Sequence, residues 1–581
     1  MKLREALDHE PAPLRFGTSG RRGLVVDLTQ LEVYINALAE LEYLQSLPRA
    51  EGGVARGEEF FYACDLRPSS SARAGQPVRG GLAQAIERAI LDAGMKPVFL
   101  GVIPTPALAN YALSRGRGSM MVTGSHIPFD RNGYKTNSAR GELLKRDEEP
   151  IGARVETVRA RLYGQPLEAS AFNASGMLRD GSRPLPPAPP EAAEEYLRRY
   201  TDFFGGRSLR GMRLLVYQHS AVGRDLLVEL LRRFGAEVIP AGRSESFVAI
   251  DTEAIDAEQL RAVESLAAAA WQEHGPMDAV VSTDGDSDRP LILGVEAARE
   301  GTGPCRARFF GGDLVGMVVA EYLQADAVVV PISCNDGVDW GALRNTARTK
   351  TRIGSPYVIA GMEEAGAKGY KVVCGWEANG GFLLGSTLKR EGRTLRALPT
   401  RDAFLPILAL LLRAKEEAVT VPALFDRLPP RFSRAALLRN FPRAASVRLL
   451  ARYSSAETGA REVSFDGARV AAWNEAGSEI GLTKGGTARL DGIRGELERI
   501  FSAKMGFGRI TRLDYTDGVR IQFDNGDVAH VRPSGNADEL RIYAVADTQA
   551  RADEITRMGV AEPDGILRRL EAAGCGENDK L

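Results

Sequence analysis

Three times along the chain a helical stretch passes through a glycine turn into a short apolar strand, and this repeat limits the possible folds more than any other feature. Residues 86–93 lead through Gly94 into a strand at 97–100, residues 226–234 through Gly235 into 238–239, and residues 358–365 through Gly366 and Gly369 into 372–373. Glycine ends a helix readily because it enters the left-handed region without a Cβ clash, so each repeat reads as an αβ unit. Apolar runs at 60–63, 214–217 and 328–332 read as strands that pass into loops carrying Ser or Asp. This alternation predicts an α/β fold: three related α/β domains with mixed, mainly parallel sheets and functional loops at the carboxyl ends of strands.

A chain of 581 residues is too long for one hydrophobic core. The proline-rich run 184–190 cannot continue a helix or sheet and marks a first boundary. Strand-like runs at 510–514, 519–523, 528–532 and 540–546, divided by Asp-Gly and Asn-Gly turns, predict a smaller, antiparallel α+β domain at the C-terminal end. The expected division is 1–190, 191–303, 304–430 and 431–581.

With 75 basic and 76 acidic residues there is no excess charge for broad nucleic-acid binding. The longest apolar run, 404–412, is far short of the roughly 20 residues that span a bilayer and reads as a buried helix. Residues 1–13 lack a secretory hydrophobic stretch, and the five cysteines are scattered as reduced thiols would be. A cytoplasmic enzyme with neither nucleic-acid nor membrane partners is expected.

Four loops carry the chemistry. After the strand-like 279–281 comes Thr283-Asp284-Gly285-Asp286-Ser287-Asp288-Arg289. Carboxylates about 7 Å apart repel by roughly 2 kcal/mol per pair at an effective dielectric near 20, so the trio predicts a hard divalent cation such as Mg²⁺. An EF-hand is excluded, because its required Gly and Glu positions hold Arg289 and Val295. The second loop, Thr123-Gly124-Ser125-His126-Ile127-Pro128, offers an outward-facing hydroxyl beside an imidazole, with Lys135 beyond an Asn-Gly turn. No Gly-x-Ser-x-Gly elbow surrounds Ser125, which disfavours an esterase. In the third, Glu377 and Asn379 alternate beside glycines and could bind sugar hydroxyls. The fourth, Arg532-Pro533-Ser534-Gly535-Asn536 with Arg541 beyond it, could cradle a phosphate. Each loop taken alone is also compatible with an ordinary turn.

Together and in this order, the four loops resemble those of the α-D-phosphohexomutase family of phosphomannomutases and phosphoglucomutases. The opening Phe16-Gly17-Thr18-Ser19-Gly20-Arg21-Arg22-Gly23, the segment Asp65-Leu66-Arg67-Pro68-Ser69-Ser70 and Pro104-Thr105-Pro106 extend the likeness over nearly the whole chain. The resemblance implies four domains around a central cleft and a phosphoryl group carried on Ser125. Asp284, Asp286 and Asp288 would bind Mg²⁺ together with the phosphoserine, and Arg22, Lys135 and Arg289 would balance charge. His126 or Lys135 would act as general base or acid. Glu377 and Asn379 would read sugar hydroxyls with help from Arg352, and Arg532, Ser534, Gly535, Asn536 and Arg541 would hold the nonreacting phosphate. The implied reaction interconverts hexose 6-phosphate and hexose 1-phosphate through a hexose 1,6-bisphosphate, which also serves as activator.

Three segments depart from the family's commoner pattern. Gly124 and Ile127 stand where Ala-Ser-His-Asn-Pro is usual, Asn379 replaces a Ser with Gly381 near an expected His, and Asn536-Ala537-Asp538 follow Gly535. Gly124-Ser125-His126-Ile127-Pro128, with Gly375-Trp376-Glu377-Ala378-Asn379 and Leu428-Pro429-Pro430-Arg431-Phe432, makes the chain look most like a bacterial phosphomannomutase branch. Phosphoglucomutase and phosphoglucosamine mutase are alternatives within the family, and a sugar-phosphate phosphatase or a noncatalytic sugar-phosphate-binding regulator are alternatives outside it.

Overall fold

The computed structural model describes residues 1–17, 19–71, 81–253, 255–298, 304–455, 458–467, 469–535 and 538–575. Two compact units result: Met1–Val329 with Thr346–Arg348 and Gly354–Phe425, and Val330–Asn345 with Thr349–Ile353 and Asp426–Leu581.

The first unit uses one plan three times. Glu59–Cys64 runs parallel to both Lys96–Val102 and Ser119–Val122, and Arg131–Ser138 returns antiparallel to the latter. Arg213–His219 runs parallel to Glu237–Arg243 and Ala279–Thr283, and Pro290–Ala297 returns antiparallel. Ala327–Pro331 runs parallel to Val373–Trp376, and Phe382–Leu384 returns antiparallel. The strands Ser119–Val122, Ala279–Thr283 and Val373–Trp376 are buried at every position, as an apolar run covered on both faces must be. Helices Leu82–Asp92 and Arg224–Arg233 supply part of that cover, and they end at Gly94 and Gly235, both left-handed with φ of 74° and 86°. The expected buried helix is Phe404–Glu416, with Phe404 to Leu412 inside.

This plan has a consequence for function. The serine, aspartate and glutamate loops all occupy the same place, the hairpin between the last parallel strand and its antiparallel return.

In the second unit eight antiparallel strands follow the order Phe432–Arg439, Glu539–Ala546, Val528–Pro533, Val519–Phe523, Ile510–Asp514, Glu462–Asp466, Arg469–Trp473, Glu479–Ile480. The four expected strands form its middle. The length between residues 456 and 500 builds the three outer strands and the helix Lys484–Ile500, whose Leu490, Ile493, Leu497 and Ile500 join the same core as Val463 and Ile510. Among the described residues no helix is long and apolar enough to cross a membrane.

Candidate active site

Asp284, Asp286 and Asp288 are all buried and offer oxygens within 4.8 Å of one another. The loop holding them is closed by its own first carboxylate: Asp284 Oδ1 accepts from the backbone N–H groups of Asp288 at 3.1 Å and Arg289 at 3.2 Å. Cations and hydroxyls offset the clustering unevenly. Lys135 Nζ donates to Asp286 Oδ2 at 2.8 Å and Asp288 Oδ2 at 2.6 Å, and Thr105 Oγ1 donates to Asp286 Oδ2 at 2.5 Å. Arg289 Nε lies 3.9 Å from Asp284 and 3.7 Å from Asp288.

The electrostatics follow from these contacts. Burial opposes charge on Asp286, but Lys135, Thr105 and Arg22 overcome it and hold the carboxyl below the ordinary range. At Asp284, burial and the two neighbouring carboxylates act together and push the pKa well above that range. Burial also works against the Lys135 ammonium, yet Asp286 and Asp288 outweigh it and raise its pKa. Arg22 is lowered to about 10, chiefly by burial. Asp286 Oδ1 and Asp288 Oδ1 are buried acceptors with no hydrogen-bond partner. Two orphaned carboxylate oxygens in an all-oxygen set fit a hard divalent cation of the Mg²⁺ type.

Ser125 meets this cluster directly. Its Oγ donates to Asp284 Oδ2 at 2.7 Å, and His126 Nδ1 stands 3.4 Å from the same hydroxyl. The expectation that Ser125 faces outward is corrected here: the residue is 3% exposed, because the aspartate loop of the second sheet closes over it. The contact demands small residues, since a Cβ on Gly285 would lie 2.7 Å from the Ser125 carbonyl oxygen. Ser125 itself has a left-handed φ of 54°, a conformation that costs a non-glycine residue of order 1–2 kcal/mol and must be held in place. Arg67 holds it. Buried over the Phe247 ring at 3.9 Å, its guanidinium donates to the carbonyls of Ser125 at 2.9 Å, Ile127 at 2.5 Å, Pro128 at 2.8 Å and Arg131 at 2.9 Å.

In the third loop Glu377 is buried and paired with Arg401, and Asn379 Oδ1 accepts from Gly381 N at 2.9 Å. Glu377 Oε1 has no hydrogen-bond partner. Arg401 also feels the charge of Asp288, which ties this loop electrostatically to the aspartate cluster. Arg352 belongs to the second unit, half exposed, 3.1 Å from Glu475.

Arg532 and Arg541 stand directly opposite each other on adjacent strands of the second unit. Like charges in that position are destabilising, by up to about 1 kcal/mol, unless an anion intervenes. Arg532 Nε donates to the Pro533 carbonyl at 3.0 Å, and Arg541 Nη2 donates to Glu539 at 3.1 Å. Ser534 is buried, with its N–H on the Glu539 carbonyl at 2.9 Å. Asn536 lies outside the described residues.

Family models described as phosphoglucomutase/phosphomannomutase alpha/beta/alpha domains I, II and III match residues 13–161, 194–296 and 311–432, and that of the C-terminal domain matches 484–561. The chain belongs to the phosphoglucomutase/phosphomannomutase family. A phosphomannomutase of Sinorhizobium fredii is 36% identical over 549 residues, which cover 94% of this chain and 98% of the relative. A phosphomannomutase of Salmonella muenchen is 36% identical over 550 residues, covering 93% and 94%. Among solved structures, a family protein of Burkholderia thailandensis shares the fold with a TM-score of 0.60 at 19% identity, covering 96% and 98%. As a member of this Mg²⁺-dependent family the chain is a phosphohexomutase, an intramolecular phosphotransferase.

Two departures from the family pattern have physical causes here. A Cβ at Gly124 would lie 2.5 Å from Arg67 Cζ, so a larger residue there requires the guanidinium that holds the serine loop to shift. A Cβ at Gly381 would lie 2.4 Å from Arg401 Cδ, so Arg401 fills the room near the position where the pattern expects a histidine. Nothing in the sequence marks Arg401 as a site residue, and the roles of Arg67 and Thr105 are visible only in the contacts they make. The one available signal was the presence of Arg67 and Thr105 inside the two short segments that carried the resemblance.

Proposed function

We propose that this phosphohexomutase is a phosphomannomutase, interconverting mannose 6-phosphate and mannose 1-phosphate through phospho-Ser125 and a hexose 1,6-bisphosphate. The observation that carries the reading is Ser125 Oγ at 2.7 Å from Asp284 Oδ2, within a buried trio that retains two orphaned acceptors. The choice of mannose is supported by the two phosphomannomutases that match almost the whole chain, whereas a phosphoglucosamine mutase of Acidothermus cellulolyticus is 28% identical over 64% of it.

Asp284, Asp286 and Asp288 would hold Mg²⁺ with a phosphoserine oxygen. Bound there, the ion would neutralise negative charge on the transferring group. The chain's own residues do the rest. The phosphorus bond to Ser125 Oγ breaks as a bond to a sugar hydroxyl oxygen forms, and that hydroxyl's proton passes to a nearby base. His126 is the better candidate, since Lys135 is kept protonated by its two aspartates and serves as a fixed positive charge. Arg22 and Arg289 add charge around the phosphoryl oxygens, and Glu377 and Asn379 would take sugar hydroxyls. Arg532, Ser534, Gly535, Asn536 and Arg541 would grip the phosphate that does not react, Arg352 would assist Glu377 and Asn379, and the second transfer, from the bisphosphate back to Ser125, reverses these roles. Hexose 1,6-bisphosphate would act as activator by restoring phospho-Ser125. The four domains would divide after residues 190, 303 and 430.

The test is conversion of mannose, glucose and glucosamine 1-phosphates with Mg²⁺ and the bisphosphate, alongside mass spectrometry of the Ser125 peptide. Preference for the mannose ester and phosphate on Ser125 are expected. Release of inorganic phosphate without bisphosphate dependence would identify a phosphatase instead.

A further inference from the structure

A cavity of about 490 Å³ opens in the first unit between helix Thr105–Ser114, helix Glu191–Phe203 and the segment 394–398. Its walls carry Arg198, Arg199 and Arg396. Arg199 is 9% exposed, and its Nε and Nη2 have no hydrogen-bond partner. No carboxylate lies within ion-pair distance of it among the described residues, and its compensation is the Tyr200 ring, 5.8 Å from the guanidinium carbon. A buried guanidinium left in that condition is costly, by more than a neutral group would be. Arg198 and Arg396 are exposed at the rim, and neither forms an ion pair within 4 Å among the described residues.

Two acids share the walls, Glu195 and Asp202. Glu195 is already taken in a two-point contact by Arg115, at 2.9 Å and 2.7 Å. Three guanidiniums against the remaining Asp202 leave two positive charges, which match a phosphate monoester dianion. Leu113, Ala397 and Leu398 provide an apolar surface beside them, and the volume suits a small molecule more than a polymer. Planar guanidinium forks bind phosphate oxygens in pairs, which a point-charge ammonium cannot do.

We propose that this cavity is a binding site for a small phosphorylated metabolite, separate from the catalytic centre. The two sites share framework. Helix Thr105–Ser114 starts at Thr105, bonded to Asp286, and reaches the cavity at Asn110, Leu113 and Ser114, about 15 Å along its axis at most. Strand Leu398–Asp402 starts at the cavity and carries Arg401, the partner of Glu377.

The test is calorimetric titration of the full-length protein with pyrophosphate in metal-free buffer. Two pyrophosphate sites per chain are expected in the wild type. The Arg198→Gln/Arg396→Gln variant, which alters only exposed side chains, should lose one of them and keep mutase turnover within about twofold. Arg199→Gln should weaken that same site by about tenfold or more. An Arg532→Gln/Arg541→Gln variant should retain it. The proposal is overturned if the wild-type and Arg198→Gln/Arg396→Gln isotherms superimpose, or if no second site fills at millimolar pyrophosphate.

Discussion

In the first unit three buried carboxylates are met by Lys135, Arg289, Thr105 and the Ser125 hydroxyl, so most of their charge is answered before any ligand arrives. In the second, Arg532 and Arg541 oppose each other across a β-ladder, Arg541 beside Glu539 and Arg532 3.9 Å from Asp517. One centre is organised around a cation and keeps two acceptors spare; the other stores a like-charge conflict that an anion would relieve. The difference teaches what each region waits for: the first lacks only coordination, the second lacks charge.

The largest effect should come from the atom the first centre is built around. Ser125→Ala should lower turnover by about 10⁴-fold or more, with the phosphate missing from the peptide in mass spectrometry and the fold intact. Near-normal activity in that variant would remove the serine-borne mechanism altogether. Asp284→Asn sharpens the electrostatic side of the comparison. It takes away a carboxyl whose pKa is driven up by burial and two neighbouring carboxylates, so turnover should fall by about 10²-fold or more. The metal-free protein should meanwhile gain roughly 1–2 kcal/mol, and the rise in melting temperature on adding Mg²⁺ should shrink. If the apo protein is instead destabilised, the hydrogen bonds that Asp284 accepts from Ser125 and from the Asp288 and Arg289 N–H groups outweigh the repulsion of its two neighbours.

The basic hairpin should answer differently. Arg541→Gln should raise KM for the hexose phosphate by about 10- to 100-fold and change kcat less, since it removes a grip on a phosphate that does not react. Without substrate the same change should leave stability level or slightly higher, by up to about 1 kcal/mol, because a like-charge neighbour is gone. A fall in kcat with KM unchanged would place Arg541 at the transferring group instead.

How far the sequence could be read divides along the same line. The aspartate trio and Ser125 were legible because their meaning is packed into a few adjacent residues after a strand. Ser125 was misjudged as outward-facing because its burial depends on Asp284, 159 residues further on and in another sheet. Arg401 was invisible for a similar reason: nothing local marks an arginine in strand Leu398–Asp402 as the partner of Glu377, 24 residues earlier. The sheets came through because continuous apolar runs require burial on both faces. The outer strands at 462–480 did not, since their burial is partial and irregular.

Both regions nevertheless rest on the same kind of prop, and the substitutions with the smallest expected effect on turnover test it. His219 Nε2 lies 2.8 Å from the carbonyl of Thr283, at the entrance to the aspartate loop, and His530 Nε2 meets the carbonyl of Asp517 beside the strand that carries Arg532. A carbonyl can only accept, so each ring carries its proton on Nε2, and in both the buried Nδ1 has no partner. Burial lowers both imidazoles from the ordinary 6.5 to about 4. Between those values the unfolded chain binds a proton that the folded chain refuses. Stability is therefore complete above pH 6.5 and declines as the pH falls toward 4, by at most about 3 kcal/mol for each ring. His219→Gln and His530→Gln keep an N–H at the Nε2 position and cannot titrate. Thermal unfolding of each variant from pH 7 to pH 4 should show a shallower decline than the wild type, with turnover at pH 7.5 changed by no more than about threefold. If the curves run parallel, the histidines are charged in the fold and the loops are held by something else.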